Sequence, residues 1–255
     1  MPTTDLISPF VVSCAGGLTL NKDVFSMQPG EALILQNFEP DIKGGYRRVG
    51  GTSLFNTTIV PQGSSTTSLV VDCSIIFNGQ IIVARGGDIH RGTTSGSFTS
   101  LTTGLGTSSK AYDFEKFNFN GTDKIIIATG HSPAQIINSS FAVDVVNATG
   151  GGTAPTNPKF VKVFQNHMFY AGATNSQEVI FSVPFAEDNF TTGSGAGSFK
   201  VDSAVVGLKV FRNELIIFCE DRIYKLTGTT SSNFAVQEVT RNIGCKDGGS
   251  IQEIG

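Results

Sequence analysis

The sequence contains no tryptophan, and charged residues make up only 15% of its 255 positions. With so few Lys and Glu side chains available, the surface must consist largely of Ser, Thr, Asn and Gly. That composition favours strands joined by tight turns and is poor material for helices. A weakly charged surface also reduces the solubility of a free monomer, which favours an assembled state.

Strong charge of either sign is absent too. The net charge is -3 at pH 7, so the chain lacks the basic field that gives proteins general affinity for nucleic acid. The first residues contain no basic segment followed by a long apolar core, and no apolar run is long enough to span a membrane. We therefore expect no secretory signal, no membrane-spanning segment and a chain made in the cytosol.

The four cysteines are widely spaced and form no CxxC pair. Zinc sites and dense disulfide frameworks need closely spaced cysteines, so we expect neither. The sequence predicts free, buried thiols at Cys14, Cys73, Cys219 and Cys245.

An apolar run, a two-residue turn and a second apolar run recur four times, about every 42–47 residues. Asn-Gly between apolar strands is a strong hairpin signal, because both central residues of a type I′ turn need positive φ. The four predicted turns are Asn78-Gly79, Asn120-Gly121, Asn166-His167 and Arg212-Asn213.

Each repeat also contains a third apolar segment and a more polar fourth one. A four-stranded antiparallel unit recurring at this spacing is typical of a β-propeller blade. The runs IIIATG and LIIFC are continuously apolar, as expected for strands covered on both faces by neighbouring blades. A sandwich also has strands at short intervals, but it seldom shows hairpins in matched register.

The predicted fold is therefore all-β: a β-propeller-like array of four-stranded antiparallel blades with an extended N-terminal arm. The predicted domains are 1–60, the arm, and 61–255, the array. Within the array the blade units are about 66–108, 109–150, 157–202 and 203–240, and a further unit starts at 248–255. Since ring closure removes exposed strand edges, we considered closure by residues 46–60, but favour an incomplete ring completed by further sequence or neighbouring subunits.

The segment from Ala15 to Gly51 stands apart from the repeat. It reads AGGLTLNKDVFSMQPGEALILQNFEPDIKGGYRRVGG and combines an early Gly-Gly, a Pro-Gly, an Asn ending an apolar run, and a Gly-Gly-x-Arg-Arg turn. This pattern resembles the N-terminal signature of tailed-bacteriophage tail hub and nozzle proteins, which include the tail tubular protein B family and the tail-stabilisation hub proteins. EVIFSVPFAEDNFTT and the following FKVDSAVVGLKVFRNELIIFCEDRIYKLTG also look like the propeller core of these proteins.

The resemblance implies a non-enzymatic structural protein of the virion tail, assembled in the host cytoplasm. It implies a homo-oligomeric ring, typically six-fold, below the connector or adaptor. Genomic DNA would pass along the axis without sequence-specific binding, and tail fibre proteins are further expected partners. Proteins of this family are usually longer than this chain, which agrees with an incomplete ring.

One dense basic cluster lies within the signature, at Lys43, Arg47 and Arg48, beside Tyr46. Charges next to Gly-Gly are ordinary in a solvated turn. The alternative is a contact with a neighbouring subunit or adaptor, because Arg guanidinium groups bind carboxylates in bidentate geometry. We predict these four residues as interface residues.

No catalytic, cofactor or metal site is predicted. His90, His131 and His167 lack regularly spaced carboxylate companions, so we expect turn or surface histidines. Ser194, in GSGAG, does not fit the nucleophile elbow G-x-S-x-G.

The acidic pairs Glu187-Asp188 and Glu220-Asp221 lie in predicted turns, where carboxylates usually stay solvated or cap the turn. Paired acids also catalyse glycoside hydrolysis. The alternative function is therefore a carbohydrate-binding or glycan-cleaving receptor-recognition propeller. The absence of tryptophan weighs against this alternative, because it removes a stacking platform for sugars.

Overall fold

The computed structural model describes residues 16–40, 45–58, 60–61, 71–106 and 112–252. The chain divides into two compact units, Met1–Leu54 and Phe55–Gly255. The boundary lies six residues before the predicted end of the arm. Among the described residues the helical segments are three short 3-10 turns, and none is long or apolar enough to cross a membrane.

The N-terminal unit (Met1–Leu54) contains two small two-stranded sheets among its described residues. Its strands are β1 (Gly17–Leu18), β2 (Glu31–Ala32), β3 (Phe38–Pro40) and β4 (Tyr46–Arg48), with a 3-10 turn at Val24–Ser26. β1 pairs with β2 in parallel, and β3 pairs with β4 in an antiparallel hairpin. The segment after Pro29 is thus a short strand followed by a loop.

Four antiparallel sheets of four strands each make up the second unit (Phe55–Gly255), and strands follow chain order within each sheet. The first sheet contains β5 (Cys73–Phe77), β6 (Gln80–Arg85), β7 (Asp88–Gly92) and β8 (Thr99–Thr102). The second contains β9 (Asp113–Phe119), β10 (Thr122–Ala128), β11 (Gln135–Asn138) and β12 (Val143–Val145). The third contains β13 (Phe160–Phe164), β14 (His167–Ala171), β15 (Glu178–Phe181) and β16 (Gly197–Lys200). The fourth contains β17 (Val205–Phe211), β18 (Glu214–Cys219), β19 (Arg222–Thr227) and β20 (Ala235–Arg241). These sheets confirm the predicted β-propeller-like array.

Matched two-residue hairpin turns join the first two strands of every sheet. Both turn residues have positive φ in each case, as a type I′ turn requires. The turns are Asn78-Gly79, Asn120-Gly121, Gln165-Asn166 and Arg212-Asn213. The prediction for the third sheet was wrong by one residue: His167 is the first residue of β14 and not part of the turn.

The second strand of each sheet shows why its sequence is continuously apolar. In β10, Ile125 and Ile127 pack against the first sheet, whereas Ile126 and Ala128 pack against the third. Because successive side chains on a strand point to opposite faces, a strand with a sheet on either side needs apolar residues at every position. The run IIIATG therefore has the predicted double coverage.

The sheets pack in sequence order along their first strands. β5 contacts β9, β9 contacts β13, and β13 contacts β17. No strand of the first sheet packs comparably against the fourth within the part of the chain that the structure describes, and no closed ring is formed. The predicted further unit at 248–255 contains a 3-10 turn at Gly248–Ser250, and residues 253–255 lie outside the described residues.

The segment before the first sheet contacts that sheet without adding a strand. The Asn56 side-chain amide donates to Thr93 O at 2.8 Å and to Gly96 O at 3.0 Å. The Arg85 guanidinium donates to Val60 O. These bonds attach residues 56 and 60 to the first sheet, so the second unit begins before its first strand.

Candidate functional site

The glycines of the N-terminal signature form a corner that brings two distant parts of the segment together. Gly16 N donates to Gly30 O at 3.1 Å, and Gly17 is the register partner of Glu31. A Cβ atom at Gly16 would collide with Glu31 and with the Gly30 backbone. The Gly-Gly and Pro-Gly elements of the signature are therefore a structural corner, and their spacing follows from the β1–β2 pairing.

The hairpin β3–β4 presents the predicted basic cluster. Glu39 pairs with Arg47 in the strand register, and Glu39 Oε1 lies 2.7 Å from Arg47 Nε in a solvent-exposed ion pair. Arg48 is exposed and has no carboxylate within 4.0 Å among the described residues. Tyr46 is half-buried, with its hydroxyl near Gly17, and Lys43 lies outside the described residues. The hairpin thus carries one internally paired arginine and one available for a partner.

Apolar side chains of the same unit are exposed to an unusual degree. Phe25 is 97% exposed, Ile34 81% and Leu20 79%. None of the described apolar side chains in Met1–Leu54 is buried. The described part of this unit therefore has little apolar burial of its own to stabilise it, and exposed apolar side chains that cluster usually mark interaction surfaces.

The histidines are not all turn or surface residues, so that prediction was wrong for two of them. His90 lies in β7 and His167 in β14, and both are almost fully buried. His167 Nδ1 lies 2.6 Å from Ser182 O, and burial lowers the pKa of the ring. His131 is exposed in the turn after β10. Among the described residues, no group of three or more His, Cys, Asp or Glu side chains is placed to bind a metal ion.

The rings around His167 show why the sequence could not reveal its burial. Three phenylalanine rings lie with centroids 5.3–6.4 Å from the imidazole, in edge-on arrangements. They belong to Phe169, Phe181 and Phe234. Phe169 and Phe181 belong to the third sheet, and Phe234 directly precedes β20 of the fourth, so the aromatic environment exists only after these two sheets have packed together.

Glu187 and Asp188 connect the second and third sheets. Glu187 forms an ion pair with Lys124 of β10, and its side chain is largely buried. Asp188 accepts three successive backbone N–H groups, from Asn147 and Ala148 at 2.7 Å and from Thr149 at 3.0 Å. The Thr149 hydroxyl also donates to Asp188. Both carboxylates therefore bind groups of the protein itself. Asp188 caps the turn at residues 147–149, as the structural interpretation of this pair predicts.

Glu220 and Asp221 form the turn between β18 and β19. Glu220 is exposed, and its backbone N–H donates to Ala204 O at 3.1 Å. A hydrogen bond from Ser203, helped by the neighbouring Arg222 guanidinium, lowers the pKa of Asp221. The two acidic pairs lie in different sheets, and neither of the two cavities described below is lined by both pairs.

A shallow cavity of about 310 Å³ adjoins the Glu187-Asp188 pair. Lys124, Asp144 and Thr149 are among the residues that line it. Lys124 binds Glu187 and Thr149 binds Asp188, so these four polar groups of the cavity have internal partners. Ser194 lies outside it, in the 3-10 turn Thr192–Ser194, with its N–H bonded to Thr191 O at 3.0 Å.

A second cavity, of about 710 Å³, lies where the first strands of all four sheets begin. We call it the inner cavity. Its ionisable lining residues are Asp72, Cys73, Tyr112, Asp113, Lys159, Lys209, Lys246 and Asp247. They come from all four repeats and from the segment after β20, so the array brings together residues that are far apart in sequence.

Burial dominates the electrostatics of the inner cavity. It raises the pKa of Asp113 to about 6, against the opposing effects of the Val161 N–H, Lys162 and Lys209. Burial and the nearby Asp113 charge raise the pKa of the Cys73 thiol to about 12. The Tyr112 pKa is also raised to about 12, chiefly by burial. Cys73 is therefore a protonated, unreactive thiol at neutral pH.

Sequence reasoning missed the inner cavity altogether, although a signal was present. Asp72, Asp113 and Lys159 lie six or seven residues before the first residue of their hairpin turns. Charged residues at one repeated position next to apolar strands indicate a shared polar site once the repeat is aligned. Cys219 is buried as predicted, whereas Cys73 and Cys245 are half-buried free thiols and Cys14 lies outside the described residues.

Comparison with known proteins gives likenesses in fold. No family model and no curated protein matches the sequence. The extracellular domain of BT4673 from B. thetaiotaomicron, described as a one component system, has a TM-score of 0.50 at 10% identity, covering 72% of this chain and 23% of that one. Saccharomyces cerevisiae Sqt1 has a TM-score of 0.49 at 9% identity, and the match covers 83% of this chain and 56% of Sqt1. The Neurospora crassa Pan2 WD40 domain has a TM-score of 0.46 at 12% identity, and the match covers 68% of this chain and 52% of that domain. The chain thus spans less than two thirds of each neighbour, and at such identities the likeness concerns the fold alone.

Proposed function

We propose that the chain is a structural protein of a bacteriophage tail, of the hub or nozzle type. In this role it forms a homo-oligomeric ring below the connector or adaptor, through which the genomic DNA passes. The β-propeller-like array is the rigid scaffold, and the N-terminal unit docks onto neighbouring subunits or tail proteins. The proposed role involves no catalysis.

The exposed apolar surface of the N-terminal unit is the observation that carries the proposal. Phe25, Ile34 and Leu20 lie in a unit with no buried apolar side chain among its described residues. Burying one such side chain stabilises a complex by about 1.5–3 kcal/mol, so leaving several in water is costly. Docking onto another subunit would remove this cost, as expected for a component of a particle.

The fourth sheet offers a second surface for assembly. Leu215 and Ile217 are buried against the third sheet, whereas Ile216 and Phe218 on the opposite face of β18 are only half-buried. The apolar run LIIFC predicted coverage on both faces, but within the described residues it has a packed sheet on one. A neighbouring subunit that covered this face would complete the pattern seen in β10.

The signature residues also support the proposal, because their geometry makes the N-terminal unit a defined structure. The Gly16–Gly30 corner and the β3–β4 hairpin fix the position of Arg48 on an exposed strand. An exposed arginine on a rigid hairpin suits the binding of a carboxylate on a neighbouring chain.

Electron microscopy of the purified chain, combined with light scattering, tests the proposal. We expect rings, with six-fold symmetry as the resemblance implies. A double variant, Phe25→Ser with Ile34→Ser, should remain folded and lose the ring, because both side chains are exposed in the free chain. Ile243→Ser is the matched control, since Ile243 is also exposed but lies after β20.

Two results would contradict the proposal. One is a wild-type chain that stays monomeric at all accessible concentrations, with no ring in micrographs. The other is a ring that forms equally well in the double variant and in the control.

A further inference from the structure

The lysines of the inner cavity differ from most lysines of this protein. Among the nine described lysines, four have no carboxylate within 4.0 Å, and three of these four line the inner cavity. The three are Lys159, Lys209 and Lys246. The fourth is Lys200, which lies in β16 outside the cavity, and all four residues are exposed. Unpaired lysines are thus concentrated at one site.

The carboxylates of the same cavity already have partners. Each accepts a hydrogen bond from a backbone N–H group. The pairs are Asp72 with Gly86 at 3.3 Å, Asp113 with Val161 at 3.0 Å, and Asp247 with Gly249 at 3.0 Å. The three carboxylates therefore have hydrogen-bond partners at short range, whereas the three ammonium groups form no described ion pair and can bind negatively charged oxygen atoms of a ligand.

The remaining walls suit a small ligand. A volume of about 710 Å³ is within the range of small-molecule sites. Phe160, Leu208 and Ile251 contribute apolar surface. The buried Tyr112 hydroxyl has no hydrogen-bond partner among the described residues, so it is a further donor or acceptor for an occupant.

We propose that the inner cavity binds a small organic anion with at least two negatively charged oxygen atoms, held by Lys159, Lys209 and Lys246. Phosphate esters and polycarboxylates share this chemistry. All three lysines are exposed, so the attraction for an anion comes from several solvated charges acting together and weakens as salt is added. The proposal is independent of the structural role proposed above.

Isothermal titration calorimetry of the full chain at low salt tests the proposal, with pyrophosphate and citrate as probes. We expect saturable binding of one anion per chain, weakened roughly tenfold by Lys209→Gln. The double variant Lys159→Gln with Lys246→Gln should weaken binding more than Lys209→Gln does. Lys200→Gln removes the same charge outside the cavity and should change the affinity less than twofold. Thermal unfolding of each variant establishes that it is folded.

Asp113→Asn provides a second readout of opposite sign. Removing a negative charge from the cavity wall should tighten anion binding several-fold. Tighter binding of pyrophosphate than of citrate would assign a phosphate ester, and the reverse a polycarboxylate. Failure of both anions to saturate, or an equal loss of affinity in Lys200→Gln and Lys209→Gln, would overturn the proposal.

Discussion

Glu115 of β9 and Lys162 of β13 form an ion pair across the boundary between the second and third sheets, with 2.7 Å between Oε2 and Nζ. The other oxygen of Glu115 accepts the Val163 N–H at 3.2 Å, and Asp113 accepts the Val161 N–H at 3.0 Å. β13 is the edge strand of its sheet, so alternate N–H groups have no strand to bind. Carboxylates of the preceding sheet satisfy two of them.

This arrangement explains how successive sheets are joined without a continuous backbone ladder. Clusters of buried apolar side chains lie between neighbouring sheets. Asp113 and Glu115 then fix the register of β13 relative to β9, since each carboxylate meets a particular N–H group. Asp188, between β15 and β16, also joins the third sheet to the second, because it accepts the N–H groups of residues 147–149, which follow β12.

Glu115→Ala should therefore destabilise the chain more than the loss of an ordinary surface ion pair. It removes a charged acceptor from a backbone N–H and an ammonium partner from Lys162, and we expect a loss of about 1.5–3 kcal/mol in the free energy of unfolding. Urea denaturation followed by circular dichroism measures it.

The control for this prediction is Glu214→Ala. Glu214 and Lys225 form an ion pair of similar length, 2.8 Å, within the fourth sheet, and both side chains are about one third exposed. Such a pair contributes about 0–1 kcal/mol. Equal losses in the two variants would show that the contact between sheets adds nothing beyond a surface ion pair.

Gly121→Ala should destabilise the chain through backbone conformation alone. Gly121 has φ +83°, and no heavy atom lies within 4 Å of an added Cβ. The expected loss is therefore the cost of the left-handed conformation, about 1–2 kcal/mol in the free energy of unfolding. Gly193→Ala is the matched control, because Gly193 also has open space around it but no positive φ. A larger loss in Gly193→Ala than in Gly121→Ala in urea denaturation would contradict this account.

The four hairpins also show how far the sequence determines the fold. Asn-Gly at residues 78–79 and 120–121 identified two turns directly, and the spacing of apolar runs placed the other two within one residue. Gln165 and Arg212 carry no turn signal of their own, yet both adopt positive φ. There the pairing of the flanking strands overrides local preference, so the boundary of the third turn could not be read from its residues.

The sites were less predictable than the fold, because they depend on contacts between repeats. The burial of His167 requires rings from several strands and loops, and the inner cavity requires all four sheets. The pairing of Glu39 with Arg47 was also hidden, since it depends on the register of a short hairpin. The contact between Gly16 and Gly30 was not predicted either, although both glycines belong to the N-terminal signature.

Arg48→Ala should weaken assembly more than Arg47→Ala. Arg47 already binds Glu39 within the hairpin, whereas Arg48 has no described carboxylate partner. We expect a loss of up to about tenfold in the association constant for Arg48→Ala, which corresponds to ~1.4 kcal/mol at an interface. Light scattering over a concentration series measures it, and thermal unfolding should be unchanged. Lys200→Ala, which removes an exposed positive charge from β16 of the third sheet, is the control. Assembly unaffected by Arg48→Ala would remove this residue from the interface.

Asp113→Asn should stabilise the chain at neutral pH. Burial raises the pKa of Asp113 to about 6 in the folded chain, whereas an unperturbed Asp has a pKa of about 3.9. Between these values the folded state binds the proton more tightly than the unfolded state does. The contribution of this group to stability is therefore fully present below about pH 4 and is lost as the pH rises through about 6.

Because asparagine is neutral and keeps an oxygen acceptor for the Val161 N–H, the variant should avoid this loss. We expect its Tm at pH 7 to exceed that of the wild type by a few degrees, since ~1 kcal/mol shifts Tm by roughly 2–4 °C in a chain of this size. The difference should shrink as the pH falls from about 6 to about 4. Differential scanning calorimetry across this range measures it, with Asp144→Asn on the exposed surface as the control. A lower Tm for Asp113→Asn at pH 7 would mean that attraction of the carboxylate to Lys162 and Lys209 outweighs the cost of burying it.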